Sequence, residues 1–139
     1  MTTLTIILPD DLFNRLENEF PKGPRNNSTR DRAILIVRHW LSQLQDSQIA
    51  KKPAAPGADL TYTRAGQTYH AEIKGTEDAD IAWQKLKVSG QPSHDGISDG
   101  WPIYRVCGVF SRQPTLHIMK INEDFTLVHE PRWRFKQII

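Results

Sequence analysis

Polar and apolar residues alternate over the first eight positions. Leu4, Ile6 and Leu8 fall on one side of an extended chain and Thr3, Thr5 and Ile7 on the other, which predicts a short strand over 2–8 with one buried face. Pro9 stops it. Asp10 and Asp11 then supply the acidic start that suits a helix dipole, and Leu12, Phe13, Leu16 and Phe20 recur at helical spacing. A loop rich in Pro, Gly and Asn (21–29) leads to a second helix over 30–45, with Ser28 or Thr29 as its N-cap. Ala33, Ile34, Ile36, Val37, Trp40, Leu41 and Leu44 give that helix a broad apolar face. Residues 47–58 are rich in Pro, Ala and Lys without periodicity and read as a semi-rigid linker.

The period changes to two in the next stretch. Segments 59–64 and 68–74 are rich in β-branched and aromatic residues, and Ala65-Gly66 between them signals a hairpin turn. His70, Glu72 and Lys74 leave one face of the second strand, whereas Ala71 and Ile73 leave the other as core residues. A two-residue turn pairs Arg64 with Gln67 and sets Asp59 opposite Glu72; a slip of one residue would face Asp59 with Ile73 instead. In the first register two carboxylates and an ammonium meet at one edge of a small sheet. Two adjacent carboxylates suit a hard divalent cation such as Mg²⁺ or Mn²⁺ that also holds waters and phosphate oxygens, and a neighbouring lysine can orient a water or stabilise developing charge. A solvated Glu-x-Lys pair on a strand face is the plain alternative.

Beyond the hairpin, Ile81, Ala82, Trp83 and Leu86 suggest a short helix beginning at Asp78 or Asp80, with Gln84 on it; Glu77, Asp78 and Asp80 are most simply its acidic N-terminus. Residues 91–102 read as a Gly/Ser/Asp/Pro loop. The near-continuous apolar run 103–110 predicts a strand covered on both faces, and 116–121 and 125–130 predict two more around a turn at Asn122-Glu123-Asp124. The run 132–136 interleaves Arg132, Arg134 and Lys136 with Trp133 and Phe135, as suits either a phosphate-backbone contact or aromatic packing with the charges in water.

Composition narrows the function only slightly. The chain has 139 residues and a net charge of +2, too small to imply nucleic acid by itself. One cysteine, Cys107, rules out an internal disulfide and fits a reducing cytoplasm. No apolar run is long enough for a membrane span and no secretion signal is evident. No P-loop, zinc spacing or nucleophilic serine motif occurs.

Two resemblances join these elements. Pro56-Gly57-x-Asp59, a hairpin, then Glu72-Ile73-Lys74-Gly75-Thr76 resembles the PD-(D/E)xK restriction-endonuclease-like superfamily, especially its small Mrr-like branches, over about residues 56–139. The resemblance implies Asp59 and Glu72 as metal ligands, Lys74 as the catalytic lysine, and Gln84 as a polar residue joining the site from the following helix. Residues 1–46 resemble the ribbon-helix-helix fold of the Arc and MetJ type. That fold implies an obligate dimer whose paired strands enter the major groove. Thr3, Thr5 and Ile7 would then face the bases, while the amides of Asn27, Ser28 and Thr29, with Arg30, hold a phosphate.

The expectation is therefore an α+β protein: a ribbon-helix-helix dimerisation unit (1–46), a linker (47–58) and a small mixed-sheet nuclease-like domain flanked by helices (59–139). Residues 59–139 are few for a nuclease core, so the helix over 30–45 could instead serve as its first helix and remove the boundary. The function expected is a Mg²⁺-dependent endonuclease acting on double-stranded DNA as a homodimer or higher even oligomer. The alternative is a ribbon-helix-helix regulator or antitoxin whose second domain does not cut.

Overall fold

The computed structural model describes residues 1–23, 28–130 and 135–138. Its hairpin has the expected register. Strand β3 (Leu60–Arg64) pairs antiparallel with β4 (Gln67–Thr76), Arg64 facing Gln67 and Leu60 facing Ala71. Ala65 (φ 50°) and Gly66 (φ 78°) both take left-handed conformations, the two-residue turn whose twist matches that of its strands.

This hairpin lies within a six-stranded sheet. With β1 (Thr2–Thr5), β2 (Ser47–Ile49), β5 (Ile103–Cys107) and β6 (Thr115–Met119), the order is β1-β6-β5-β4-β3-β2. All neighbours are antiparallel except β4 and β5. A parallel pair needs a crossover, supplied by residues 77–102 with helix α3 (Gln91–Ser98) inside it. With helices α1 (Asp10–Glu19) and α2 (Ser28–Ser42), the architecture is a mixed α+β one. Among the described residues no helix is long and apolar enough to cross a membrane.

The main core joins one sheet face to α1 and α2. Leu60, Tyr62, Ala71, Ile73, Tyr104, Val106 and Leu116 from the strands are buried with Leu16, Ala33, Ile36, Val37 and Leu41. Alternation at the N-terminus is as expected: Ile6 and Leu8 are buried and Ile7 is 71% exposed. Helix α2 lies so close to β4 that a Cβ on Gly75 would sit 2.7 Å from the Thr29 carbonyl and 2.8 Å from Ala33 Cβ. A smaller cluster of Ile97, Ile103 and Met119 covers the opposite face, with Ile81, Leu86 and Val88 against it.

Four features depart from the sequence reading. First, Thr2–Thr5 pairs with Thr115–Ile118 of its own chain, leaving β1 at a sheet margin with one edge already used. Second, a single sheet runs through the spans that composition separates: Ser47–Ile49, expected in a linker, pairs with Tyr62–Arg64. Third, the expected helix after the hairpin is only a 3₁₀ turn, Trp83–Lys85, while the expected loop at 91–102 contains α3. The small residues that suggested a loop serve packing instead, because Gly96 lies directly under the Trp101 ring. Fourth, residues 125–130 form no strand, only an isolated bridge between Ile121 and Phe125. Both edges of β6 are already occupied, by β5 and β1, so 125–130 cannot pair with it as a hairpin. Residues 132–134 of the basic-aromatic run lie outside the described residues; Phe135 and Lys136 are exposed.

Candidate functional site

The mismatch in strand length creates the site. The β3 ladder begins at Leu60, opposite Ala71, whereas β4 runs on to Thr76 alongside β5. A notch is left on the β3 side of residues 72–76. Glu72 turns its N–H towards β5 and donates it to the Pro102 carbonyl (3.1 Å). The next amide must point the other way, into the notch, and Ile73 N–H donates to Asp59 Oδ2 at 2.8 Å. Asp59 thus terminates β3 by capping the first unpaired amide of β4. Its own N–H donates to the Ala71 carbonyl (2.9 Å), which fixes it next to Glu72.

The turn before Asp59 is held by α3. Gly57 has φ +81°, and a Cβ there would come within 2.6 Å of the Ser93 amide nitrogen. Ser93 Oγ donates to the Gly57 carbonyl at 3.0 Å. Only glycine meets both the left-handed φ and the close approach, so the Pro-Gly before Asp59 has a direct structural reason.

Glu72 is 4% exposed. Its Oε1 lies 3.2 Å from Lys74 Nζ, and its Oε2 is buried with no hydrogen-bond partner. Burial pushes the Glu72 carboxyl above the ordinary carboxylate range and the Asp59 charge pushes it further; Lys74 and, more weakly, Arg30 pull it back. A buried carboxylate oxygen lacking a donor is costly, and a second carboxylate beside it adds to the cost. Lys74 faces the outside, its side chain 26% exposed.

Arg30 completes the group. It projects from the first turn of α2, and Nη2 lies 3.0 Å from Asp59 Oδ1, with 60% of the side chain still exposed. On the same sheet face His70 Nδ1 shares a hydrogen bond with Thr61 Oγ1 (2.9 Å), and its ring lies 5.7 Å from that of Trp101.

The structure therefore gathers Asp59, Glu72 and Lys74 and adds Arg30, which the sequence reading had assigned to DNA contact. It does not gather Gln84. That residue is exposed and lines an open hollow of about 460 Å³ with Asp78, Ala79, Asp80 and Lys85, to which Asp59, Glu72 and Lys74 contribute nothing. The helix meant to carry Gln84 back to the site is only a turn, and Lys85 Nζ binds Asp78 Oδ2 there at 2.7 Å. Of the expected DNA contacts, Thr3 and Thr5 are exposed on β1, separated from β4 by two strands, roughly 14 Å at ordinary strand spacing. The Thr3 hydroxyl is bonded to His117 Nδ1 (3.0 Å). Ile7 is exposed beyond the strand end. Ser28 is buried and donates its hydroxyl to the Pro21 carbonyl at 2.8 Å. Thr29 lies half-buried over Gly75, and Asn27 falls outside the described residues.

The donor set suits a hard cation. Asp59 and Glu72 offer carboxylate oxygens, one of them buried and unpartnered, and no third His, Cys, Asp or Glu joins them among the described residues. Mg²⁺ commonly takes one or two carboxylates and completes its shell with waters and substrate phosphate. Compared with known proteins, the chain matches no family model, no curated protein and no solved structure.

Proposed function

We propose that this protein is a divalent-metal-dependent endonuclease that hydrolyses phosphodiester bonds in double-stranded DNA at Asp59, Glu72 and Lys74. The observation that carries the reading is the Glu72 carboxylate, buried beside Asp59 with Oε2 unpartnered. A purely structural role gives no reason to bury that charge incompletely satisfied, whereas ligation of a cation does. The plain alternative, a solvated Glu-x-Lys pair, does not fit a glutamate that is only 4% exposed.

Asp59 and Glu72 would hold Mg²⁺ or Mn²⁺. Such an ion, when bound, supplies Lewis-acid polarisation of the phosphate and a more acidic bound water. The chain's own groups do the rest. Ile73 N–H fixes the Asp59 carboxylate. Glu72 Oε1 holds the Lys74 ammonium at the open side of the notch, where its charge opposes the negative charge that builds on a phosphate under attack. Ile103, which pairs with Glu72 across β4 and β5, belongs to the buried Ile97, Ile103 and Met119 cluster and gives Glu72 an apolar neighbour.

Dimerisation through β1 belongs to the same proposal. What supports it is the position of β1 at the sheet margin, where no strand among the described residues pairs with its outer edge. A dimer would present two sites, one for each DNA strand.

The test is incubation of supercoiled plasmid with Mg²⁺ or Mn²⁺ and the wild-type, Glu72→Ala and Lys74→Ala proteins. Nicking or linearisation by the wild type, abolished by chelator and by either substitution, is the expected result. Plasmid bound but intact with all three proteins would favour a non-cutting regulator.

A further inference from the structure

The Arg30–Asp59 contact is hard to explain as simple surface pairing. Arg30 comes from α2 and Asp59 from the start of β3, and both approach the one stretch of β4 that lacks a β3 partner. The guanidinium occupies Oδ1 of a carboxylate whose Oδ2 is already held by the Ile73 amide. It therefore stands at the one Asp59 oxygen that the strand amide leaves open to a cation. Arg30 and a divalent cation are competitors for the same charge.

We propose that Arg30 is the phosphate-binding residue of this site, neutralising Asp59 while no cation is bound and turning to the DNA phosphate once a cation takes the carboxylate. This inference rests on the Asp59–Glu72 metal reading and adds a residue to it. Three features carry it. The side chain is 60% exposed although it is ion-paired, so it is free to swing. A guanidinium fork matches two phosphate oxygens, which an ammonium such as Lys74 cannot do. Arg30 also lies in the first turn of α2, beside Thr29, which packs on Gly75 of β4, so a phosphate held by Arg30 lies near the positive end of the helix as well. The exchange balances in charge: the cation replaces the guanidinium at Asp59, and the freed guanidinium meets the phosphate anion.

The experiment measures two affinities on the full-length wild-type and Arg30→Gln proteins. Mn²⁺ binding is followed by the loss of the free-ion electron paramagnetic resonance signal. Binding of a short fluorescent duplex is measured with Ca²⁺ and with chelator, over a range of salt concentrations, with the duplex checked for integrity afterwards. Removing the competitor should tighten Mn²⁺ binding about two- to fivefold, the equilibrium equivalent of a solvent-exposed ion pair. In Ca²⁺ the variant should bind duplex more weakly, its log–log salt dependence shallower by about one. In chelator the two proteins should bind duplex alike. Unchanged or weakened Mn²⁺ binding by Arg30→Gln, or an equal loss of duplex affinity with and without Ca²⁺, would overturn the proposal while leaving the metal site intact. Failure of the wild type itself to bind Mn²⁺ would remove the metal site, and this role of Arg30 with it.

Discussion

Glu72→Gln should make the metal-free protein more stable. The substitution keeps the shape of the side chain and removes its charge. In the wild type, Glu72 Oε2 is buried without a donor, and a buried polar group left unsatisfied costs about 1–3 kcal/mol. Against this stands the pairing of Oε1 with Lys74, at 3.2 Å and partly open to water, worth about 0–1 kcal/mol. The midpoints of these ranges differ by about 1.5 kcal/mol, so glutamine is favoured by about 1–2 kcal/mol. For a chain of 139 residues, an unfolding entropy of about 2.1 cal/mol/K per residue converts this to a rise in Tm of about 3–7 °C. Divalent cation should reverse the order. At ten times its Kd a bound ion stabilises the wild type by about 1.4 kcal/mol, and the variant should gain little. pH provides a second check. Burial and the Asp59 charge raise the Glu72 pKa in the folded protein, so between the ordinary glutamate pKa and that raised value the folded state holds the extra proton. Stability of the wild type relative to Glu72→Gln should therefore rise as pH falls through that window, and stay level at its lower value above the folded-state pKa. The assay is thermal melting followed by circular dichroism, in chelator and in Mg²⁺, at several pH values. A variant that melts at or below the wild type in chelator would refute the reasoning, since the carboxylate would then be stabilising without a cation.

Other consequences reach beyond that side chain. Gly57→Ala forces a left-handed φ on a residue with a Cβ and drives that Cβ against the Ser93 amide; we expect a loss of about 1–3 kcal/mol in urea unfolding and weaker Mn²⁺ binding as Asp59 shifts. Arg32, fully buried, donates to the Phe20 and Val109 carbonyls and pairs with Glu17. Arg32→Ala should cost about 2–4 kcal/mol by the same measurement, because two carbonyls lose their donor. Tyr104→Phe leaves the buried Tyr62 hydroxyl without its partner and should cost about 1–3 kcal/mol. Burial first, and the Tyr62 hydrogen bond second, push the Tyr104 phenol far above the ordinary tyrosine range. Its ionisation should therefore coincide with alkaline unfolding in an absorbance titration.

Where local chemistry decides the structure, the sequence was legible. Ala65-Gly66 set the hairpin register, and with it the approach of Asp59 to Glu72. The alternation of Leu4, Ile6 and Leu8 correctly separated the buried side of the N-terminal strand from the exposed one. Non-local pairing was not legible. Nothing near Thr2–Thr5 indicates that its partner is Thr115–Ile118 at the far end of the chain. That pairing takes the edge of β6 which 125–130 would have needed. Arg30 was noticed for its charge, but its approach to Asp59 depends on α2 crossing β4 at Gly75, a helix–sheet contact without periodicity in the sequence. A glycine within the strand was the one available hint of close approach by another element. Gln84 was placed by analogy with a helix that is absent here, and its hollow lies elsewhere.

The central claim is that Lys74 serves the chemistry and the carboxylates serve the cation, and single-turnover hydrolysis of a fluorescent duplex separates the two. At saturating Mg²⁺ and excess protein, the account predicts cutting by the wild type, none in chelator, and at least about a hundredfold slower cutting by Lys74→Ala, the cost of removing one preorganised charge, even though that variant still binds Mn²⁺. Cutting by Lys74→Ala at the wild-type rate, or an intact duplex in the wild-type reaction, would contradict it.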